Sequence, residues 1–372
     1  MKIAAIKTTP LLLPFRQPYH WSGRVDRGAA VVLVEVETDA GIIGVGESTA
    51  PLAAEGTLST LAAAAPLFVG EPVHDVDRLI TRARFLGGFN WTPRQANLVL
   101  AGLEMALWDA IGKAAGQPVY RLLGGRVRDS VDYFGCTQGD SAEELAADAA
   151  RLAAAGYGVI YLKVGRGEVA DLSNTAAVRE AIGGRRLRLD ANSAWSVVEA
   201  LHMIRRLAVF EPEWIEQPTP ADSIAALRQV HESAAVPIAA DQAAFTPADV
   251  YEICRQRAAD AVVLSPHEAG GLLAFGRAAA VAAAAGVPIC LHGQSVSSIS
   301  DAAQHHLGLC TPNLTEGNQI MHQLLVEDLV SAPDLTPVRG KVWPFDAPGL
   351  GIELDRDAVA RAADLYQEER RP

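Results

Sequence analysis

Residues 159–192 read VIYLKVGRGEVADLSNTAAVREAIGGRRLRLDAN. An apolar, β-branched run from Val159 to Val164 leads into a helical segment, and a second short run follows from Arg186 to Asp190. Strand, helix, strand in this order is a βα repeat, and successive repeats of this kind build a parallel sheet. The alternation continues in both directions, with strands expected at Val131–Phe134, Trp214–Glu216, Ile238–Asp241, Ala261–Leu264 and Ile289–His292. An eighth is placed near Asn313–Glu316 by position, since PNLTEG has poor strand propensity. The expected class is α/β, a (β/α) barrel that begins near residue 129.

Upstream the pattern differs. AAVVLVEVETDAGIIGVGE, residues 29–47, alternates across a turn at Thr38–Gly41 and reads as a β-hairpin. Thr92–Gly116 carries Leu98, Leu103, Ala106, Leu107 and Ile111 at helical spacing and is closed by Gly116 and Pro118. Downstream, GLGIEL and the charged helix DRDAVARAADLYQEERR close the chain. The expected organisation is an α+β capping domain at 1–128, a barrel at 129–340 and a C-terminal segment at 341–372 that packs back on the first domain.

A composition 49% hydrophobic and 20% charged describes a well-buried globular chain. The net charge of −12 and the absence of a basic run argue against a nucleic-acid partner. The N-terminal residues read as a strand, not a signal peptide, and the apolar stretch 278–291 is interrupted by Gly286 and Pro288, so no membrane segment is expected. Cys136, Cys254, Cys290 and Cys310 form no CxxC pair, which points to neither disulfides nor zinc and to a reducing cytoplasm.

Lys163, Asp190, Glu216, Asp241, Ser265, His292 and Glu316 stand at or just past the expected strand ends, about one βα repeat apart. In a parallel barrel those ends open on one face, so these side chains share one pocket. Asp190, Glu216 and Asp241 come from three successive strands, and close like charges resist joint ionisation. A hard dication between them resolves the conflict, and oxygen ligands favour Mg²⁺. Asn192 is an expected supporting partner of Asp190. Lys163 is a candidate general base, its pKa expected to fall with burial and nearby positive charge, and His292 is a candidate acid.

These residues resemble the enolase superfamily and its muconate-lactonizing-enzyme and mandelate-racemase branches. The resemblance rests on GLEMALWDAIGKAAGQPVYRLLGG from Gly102, YLKVG around Lys163, RLDANSAW around Asp190, WIEQP around Glu216, PIAADQ around Asp241 and the closing PGLGIEL. It implies a modified (β/α)₇β TIM barrel, a capping domain built from both chain ends, Mg²⁺ on Asp190, Glu216 and Asp241, an enolate intermediate, a small-molecule carboxylate substrate and a homo-oligomer. Two departures stand out. The lactonizing branch usually has Lys-x-Lys on its second strand, and here Tyr161 takes the first place. The slot filled by Lys in that branch and by the Asp of a His–Asp dyad in the racemase branch is Ser265, so no such dyad is expected with His292.

A missing second base disfavours epimerisation, which needs acid–base groups on both faces of the substrate. The pattern is similar to the cis-3-hydroxy-L-proline dehydratases of the superfamily, which implies that Lys163 takes the α-proton and returns it to the β-hydroxyl on the same face, with Tyr161 or Ser265 assisting. An acid-sugar dehydratase using Lys163 as base and His292 as acid, a racemase of an amino-acid derivative, and a metal-binding barrel without catalysis are the alternatives. Tyr19, His20, Trp21 and Arg24, in PYHWSGR, are expected to cover the barrel mouth as a mobile loop and to bind substrate, and Glu316 resembles an eighth-strand acid near the substrate carboxylate.

Overall fold

The computed structural model describes residues 1–22, 24–50, 53–88 and 91–369. The alternating N-terminal sequence forms an antiparallel sheet of β1 (Ile3–Trp21), β2 (Arg24–Thr38) and β3 (Ile43–Thr49). The helices α1 (Ala54–Ala64), α2 (Val76–Leu86) and α3 (Pro93–Ala115) follow. Helix α3 opens with Pro93, whose missing N–H costs nothing in the first turn, and ends where Gly116 adopts the left-handed conformation at φ 62°. Its apolar face packs on β3 and shares a core with β2, α1 and α2.

Beyond α4 (Val119–Leu122) and β4 (Val131–Asp132), seven parallel strands lie side by side in chain order. They are β5 (Gly135–Cys136), β6 (Val159–Lys163), β7 (Arg186–Asp190), β8 (Trp214–Glu216), β9 (Ile238–Ala240), β10 (Ala261–Leu264) and β11 (Ile289–Leu291). Helices α5 (Ala142–Ala154), α6 (Glu168–Ile182), α7 (Val197–Leu207), α8 (Ile224–His231), α9 (Pro247–Gln256), α10 (Pro266–Ala269), α11 (Leu272–Ala284) and α12 (Ser298–Cys310) follow their strands in turn. Because helices cover the sheet, strands such as VIYLK are buried along their whole length and read as continuous runs.

Two strand boundaries differ from expectation. Residues 131–132 pair antiparallel with β13 (Lys341–Val342), and the first parallel strand starts later, at Gly135. The eighth segment begins where expected, with Asn313 O accepting from Ile289 N (3.0 Å), but runs on beyond Glu316. Thr315 N bonds Ile289 O (2.8 Å), Gln319 N bonds Leu291 O (3.0 Å) and Phe134 N bonds Asn318 O (2.9 Å), so residues 315–319 join the two ends of the curled sheet. Beneath the sheet, fully buried Arg188 stacks on Trp214 at 3.7 Å, pairs with Glu213 (2.7 Å) and donates to the Glu316 (2.6 Å) and Gly317 carbonyls. Its five donors satisfy groups that would otherwise be stranded at that end.

Strand β14 (Glu353–Leu354) pairs with β12 (Val330–Ala332), and helix α13 (Arg356–Glu369) packs against β1, with Arg356 2.7 Å from Glu35. No described helix is long and apolar enough to cross a membrane.

Helix α12 grips the C-terminal segment through neutral histidines. His305 accepts from the Tyr133 hydroxyl at Nδ1 (3.1 Å) and donates from Nε2 to Trp343 O (3.1 Å), and His306 Nε2 donates to Leu350 O (3.2 Å). Burial pushes their pKa values down to about 3 and about 4. Their contribution is complete above pH 6.5 and is lost as pH falls, because the unfolded chain protonates first. Near pH 5 the two should add a slope of about 2.7 kcal/mol per pH unit. Urea midpoints of the parent and a His305→Gln/His306→Gln variant between pH 7.5 and 5 should therefore converge on acidification. The difference cancels buried Glu47 and Glu104, raised by burial to about 8 and about 7, which slope the other way.

Candidate active site

The ladder registers place the chemistry. Lys163 is paired with Asp190 and Asp190 with Glu216 across β6, β7 and β8, while Asp241 follows β9 directly. These four side chains are buried, and oxygens of Asp190, Glu216 and Asp241 lie within 4.8 Å of one another. Asp241 Oδ1 is sealed from solvent without a hydrogen-bond donor; His292 Nδ1 is 3.1 Å away but off the hydrogen-bonding line. Burial first, then repulsion from Asp190 and Asp241, raises the Glu216 pKa, and burial raises Asp241 to about 6. Three crowded carboxylates with an orphaned oxygen form a donor set that fits a hard dication. Asn192 supports it through its backbone N–H, 2.8 Å from Asp190 Oδ1.

Lys163 Nζ lies 2.5 Å from Asp190 Oδ2. Burial opposes its charge, yet Asp190, Tyr19 and Glu216 outweigh that and raise its pKa, contrary to the expected fall. The protein's own groups hold it as an ammonium. Tyr161, two residues earlier on the same strand face, stacks on Phe134 and places its hydroxyl between Glu216 Oε1 (2.8 Å) and Asp190. A single hydroxyl proton serves one of them at a time, so Tyr161 tempers the carboxylate repulsion without adding charge.

The Ser265 slot holds a different group from the one expected. Ser265 is buried, and its Oγ caps α10 by accepting from Glu268 N (3.0 Å). Reciprocally, Glu268 Oε2 accepts from Ser265 N (3.0 Å) and from His292 Nδ1 (3.2 Å). The Glu268 carboxylate thus folds back over the serine, and a His–acid pair exists after all. The attraction of Asp241 and Glu268 overcomes the burial of His292 and raises its pKa. The signal was present in the sequence, since Ser-Pro-His-Glu is a capping box with Pro at the first helical position.

A cavity of about 450 Å³ opens over these groups, lined by Lys163, Glu268, His292, Asn192, Gln294 and Gln319 below and by Tyr19, Trp21 and Arg24 above. Tyr19–Trp21 and Arg24–Asp26 are strand and not loop: Tyr19 pairs with Asp26, His20 with Val25 and Trp21 with Arg24 at the end of the β1–β2 ribbon. Asp26 accepts from Trp21 Nε1 (2.7 Å) and Arg24 Nε (2.9 Å), which fixes both side chains. His20 turns away and meets Asp140 at 2.6 Å. Glu316 is also elsewhere: it is exposed and pairs with Arg186, the first residue of β7, at the opposite end of the strands from Asp190. Its expected place is taken by Gln319, three residues on, because the bridging segment continues past Glu316 before it reaches the cavity.

Residues 144–358 match the enolase C-terminal domain-like family, and residues 4–124 match the mandelate racemase / muconate lactonizing enzyme N-terminal domain. The chain therefore belongs to the mandelate racemase / muconate lactonizing enzyme family and is an enzyme of the enolase superfamily. Muconate cycloisomerase 1 of Rhodococcus opacus is 29% identical over 96% of this chain and 98% of its own. A probable glucarate dehydratase of Streptomyces coelicolor is 31% identical over 97% and 90%. Among solved structures, N-succinyl Arg/Lys racemase from Bacillus cereus superposes with a TM-score of 0.91 at 27% identity, covering 97% and 98%. A cycloisomerase, a dehydratase and a racemase share this architecture, so the reaction must be argued from the site itself.

Proposed function

We propose that this enzyme is a Mg²⁺-dependent hydro-lyase that takes the α-proton from a small carboxylate and expels its β-hydroxyl, with cis-3-hydroxy-L-proline as substrate. The observation that carries the reading is the two-walled site: Lys163 at the end of β6 beside Asp190, and beside Asp241 the pair of Glu268 and His292, which follow β10 and β11, four and five strands away. In a ring whose 3-hydroxyl is cis to the carboxylate, the α-hydrogen and the hydroxyl lie on opposite faces. One lysine returning its proton on the same face cannot serve that ring, whereas two groups on opposite walls can. Lys163, after its ammonium releases a proton to solvent, takes the α-proton as the free amine; the C–H electrons form the C=C bond, and the C–O pair leaves with a proton from His292 as water. The enamine product tautomerises to a cyclic imine acid.

Asp190, Glu216 and Asp241 would hold the metal. When bound, Mg²⁺ supplies positive charge that offsets these carboxylates and stabilises charge appearing on the substrate carboxylate as the C–H bond ionises. Neither position 161 nor 265 is a lysine, and Glu268 adds a fourth buried acid, a balance suited to a substrate bearing an ammonium. Tyr19, Trp21 and Phe245 supply apolar walls for its ring.

Arg24 and Arg94 in the same cavity support a second reading, an acid-sugar dehydratase with the same base and acid, in which an arginine holds a distal carboxylate. Mg²⁺-loaded enzyme should turn over cis-3-hydroxy-L-proline and spare the trans isomer. Turnover of sugar acids alone selects the second reading. No turnover of either, with no solvent deuterium entering any α-carbon, favours a barrel that binds metal without catalysis.

A further inference from the structure

We propose that Asn97, on helix α3 of the N-terminal region, is a positioning residue for the Glu268–His292 pair, so that contact between the two regions of the chain sets the acid wall of the site. The inference rests on the reading of that pair as the proton donor.

Asn97 is fully buried and far from the cavity floor in sequence, yet its Nδ2 donates to Glu268 O at 2.6 Å and reaches Phe245 O at 3.5 Å. One amide thereby ties together the loops after β9 and β10, both of which line the cavity. The grip extends along the segment that follows β10. His267 Nε2 donates to Glu47 O (2.8 Å), Arg84 reaches Gly270 O (3.4 Å), and Glu104 accepts from Leu273 N (3.0 Å) at the start of α11.

The Gly-Gly pair makes this approach possible. A Cβ at Gly270 would stand 2.0 Å from Arg84 Nη2 and 2.8 Å from Asn97 Oδ1, and one at Gly271 would stand 1.1 Å from Glu104 Oε2. Both glycines also hold positive φ, 90° and 132°. Helix α10 is four residues long, so its internal hydrogen bonds are too few to fix the Glu268 backbone. Its position depends on the Ser265 cap on one side and on Asn97 on the other. Of the external contacts among the described residues, only that of Asn97 bonds the peptide group of Glu268 itself. A backbone shift of about 1 Å there is enough to cost a reaction about 100-fold.

The test compares Asn97→Ala, the near-isosteric Asn97→Asp and Glu268→Gln as Mg²⁺-loaded proteins acting on cis-3-hydroxy-L-proline in D₂O. Deuterium entry at the α-carbon needs the Lys163 wall alone, whereas product formation also needs His292. Both Asn97 variants should lower product formation about 10–100-fold, leave KM unchanged and raise the ratio of exchange to elimination, as Glu268→Gln does. A general loss of structure would lower both rates together, and that outcome overturns the proposal, as does an unchanged ratio in the Asn97 variants when Glu268→Gln shifts it. An unchanged ratio in Glu268→Gln sinks the reading of the pair and this inference with it. Crystal structures of the Mg²⁺-loaded parent and Asn97→Ala give a test free of any substrate: Glu268 Oε2 should move beyond about 3.5 Å from His292 Nδ1, and an unmoved carboxylate overturns the proposal.

Discussion

Lys163→Met should lower kcat by about 10³–10⁴-fold while the protein stays folded and binds Mg²⁺. Methionine retains the buried apolar stem and removes only the ammonium, so the side chain still fills the space between Tyr19 and Tyr161. Among the described residues Lys163 is the one lysine that lines the cavity, and β-sheet register leaves it no freedom to be replaced from a neighbouring strand. Its loss also frees Asp190 from a 2.5 Å ion pair. Mg²⁺ should then bind at least as tightly as in the parent, because one competing cation is gone. Calorimetric Mg²⁺ titration alongside steady-state rates separates the two effects. A kcat within tenfold of the parent would remove Lys163 from the reaction.

Chelation of the metal should abolish turnover, and Glu216→Gln should weaken Mg²⁺ binding by at least about 100-fold. Glu216 stands between Asp190 and Asp241, and repulsion from both adds to the burial that already disfavours its charge. In the parent, Mg²⁺ at a hundred times its dissociation constant should stabilise the fold by about 2.7 kcal/mol. The Tm gain on adding Mg²⁺ should shrink markedly in Glu216→Gln. The chelated variant should melt no lower than the chelated parent, because glutamine replaces a carboxylate whose charge burial and the crowding of Asp190 and Asp241 already disfavour. Equal Mg²⁺-induced gains in both proteins would place the ion away from these carboxylates.

Sequence reading reached furthest where local periodicity and tertiary position coincide. Lys163, Asp190 and Glu216 end consecutive strands, and a parallel sheet necessarily brings such ends together, so strand spacing alone led to one pocket. Glu268 and Gln319 were harder to see for separate reasons. Glu268 reaches the slot of Ser265 by a capping box that turns its side chain back along the chain, and residues 315–319 act as a strand without strand propensity, held by neighbours on both sides. The three-residue error that put Glu316 in the site also turned it towards the wrong end of the sheet, where it meets Arg186.

By itself, then, the amino-acid order determined the alternation of strands and helices, the α+β region before the parallel sheet, and the carboxylate trio, because each depends on residue type and spacing along one chain. Tertiary structure alone decided the pairing of His292 with Glu268, the ribbon that carries Trp21 and Arg24 over the cavity, and the hold of Asn97 on the Glu268 peptide. Those depend on side-chain direction and on contacts between separate elements, 24 residues apart for His292 and Glu268 and 171 for Asn97 and Glu268, for which local propensity carries no term.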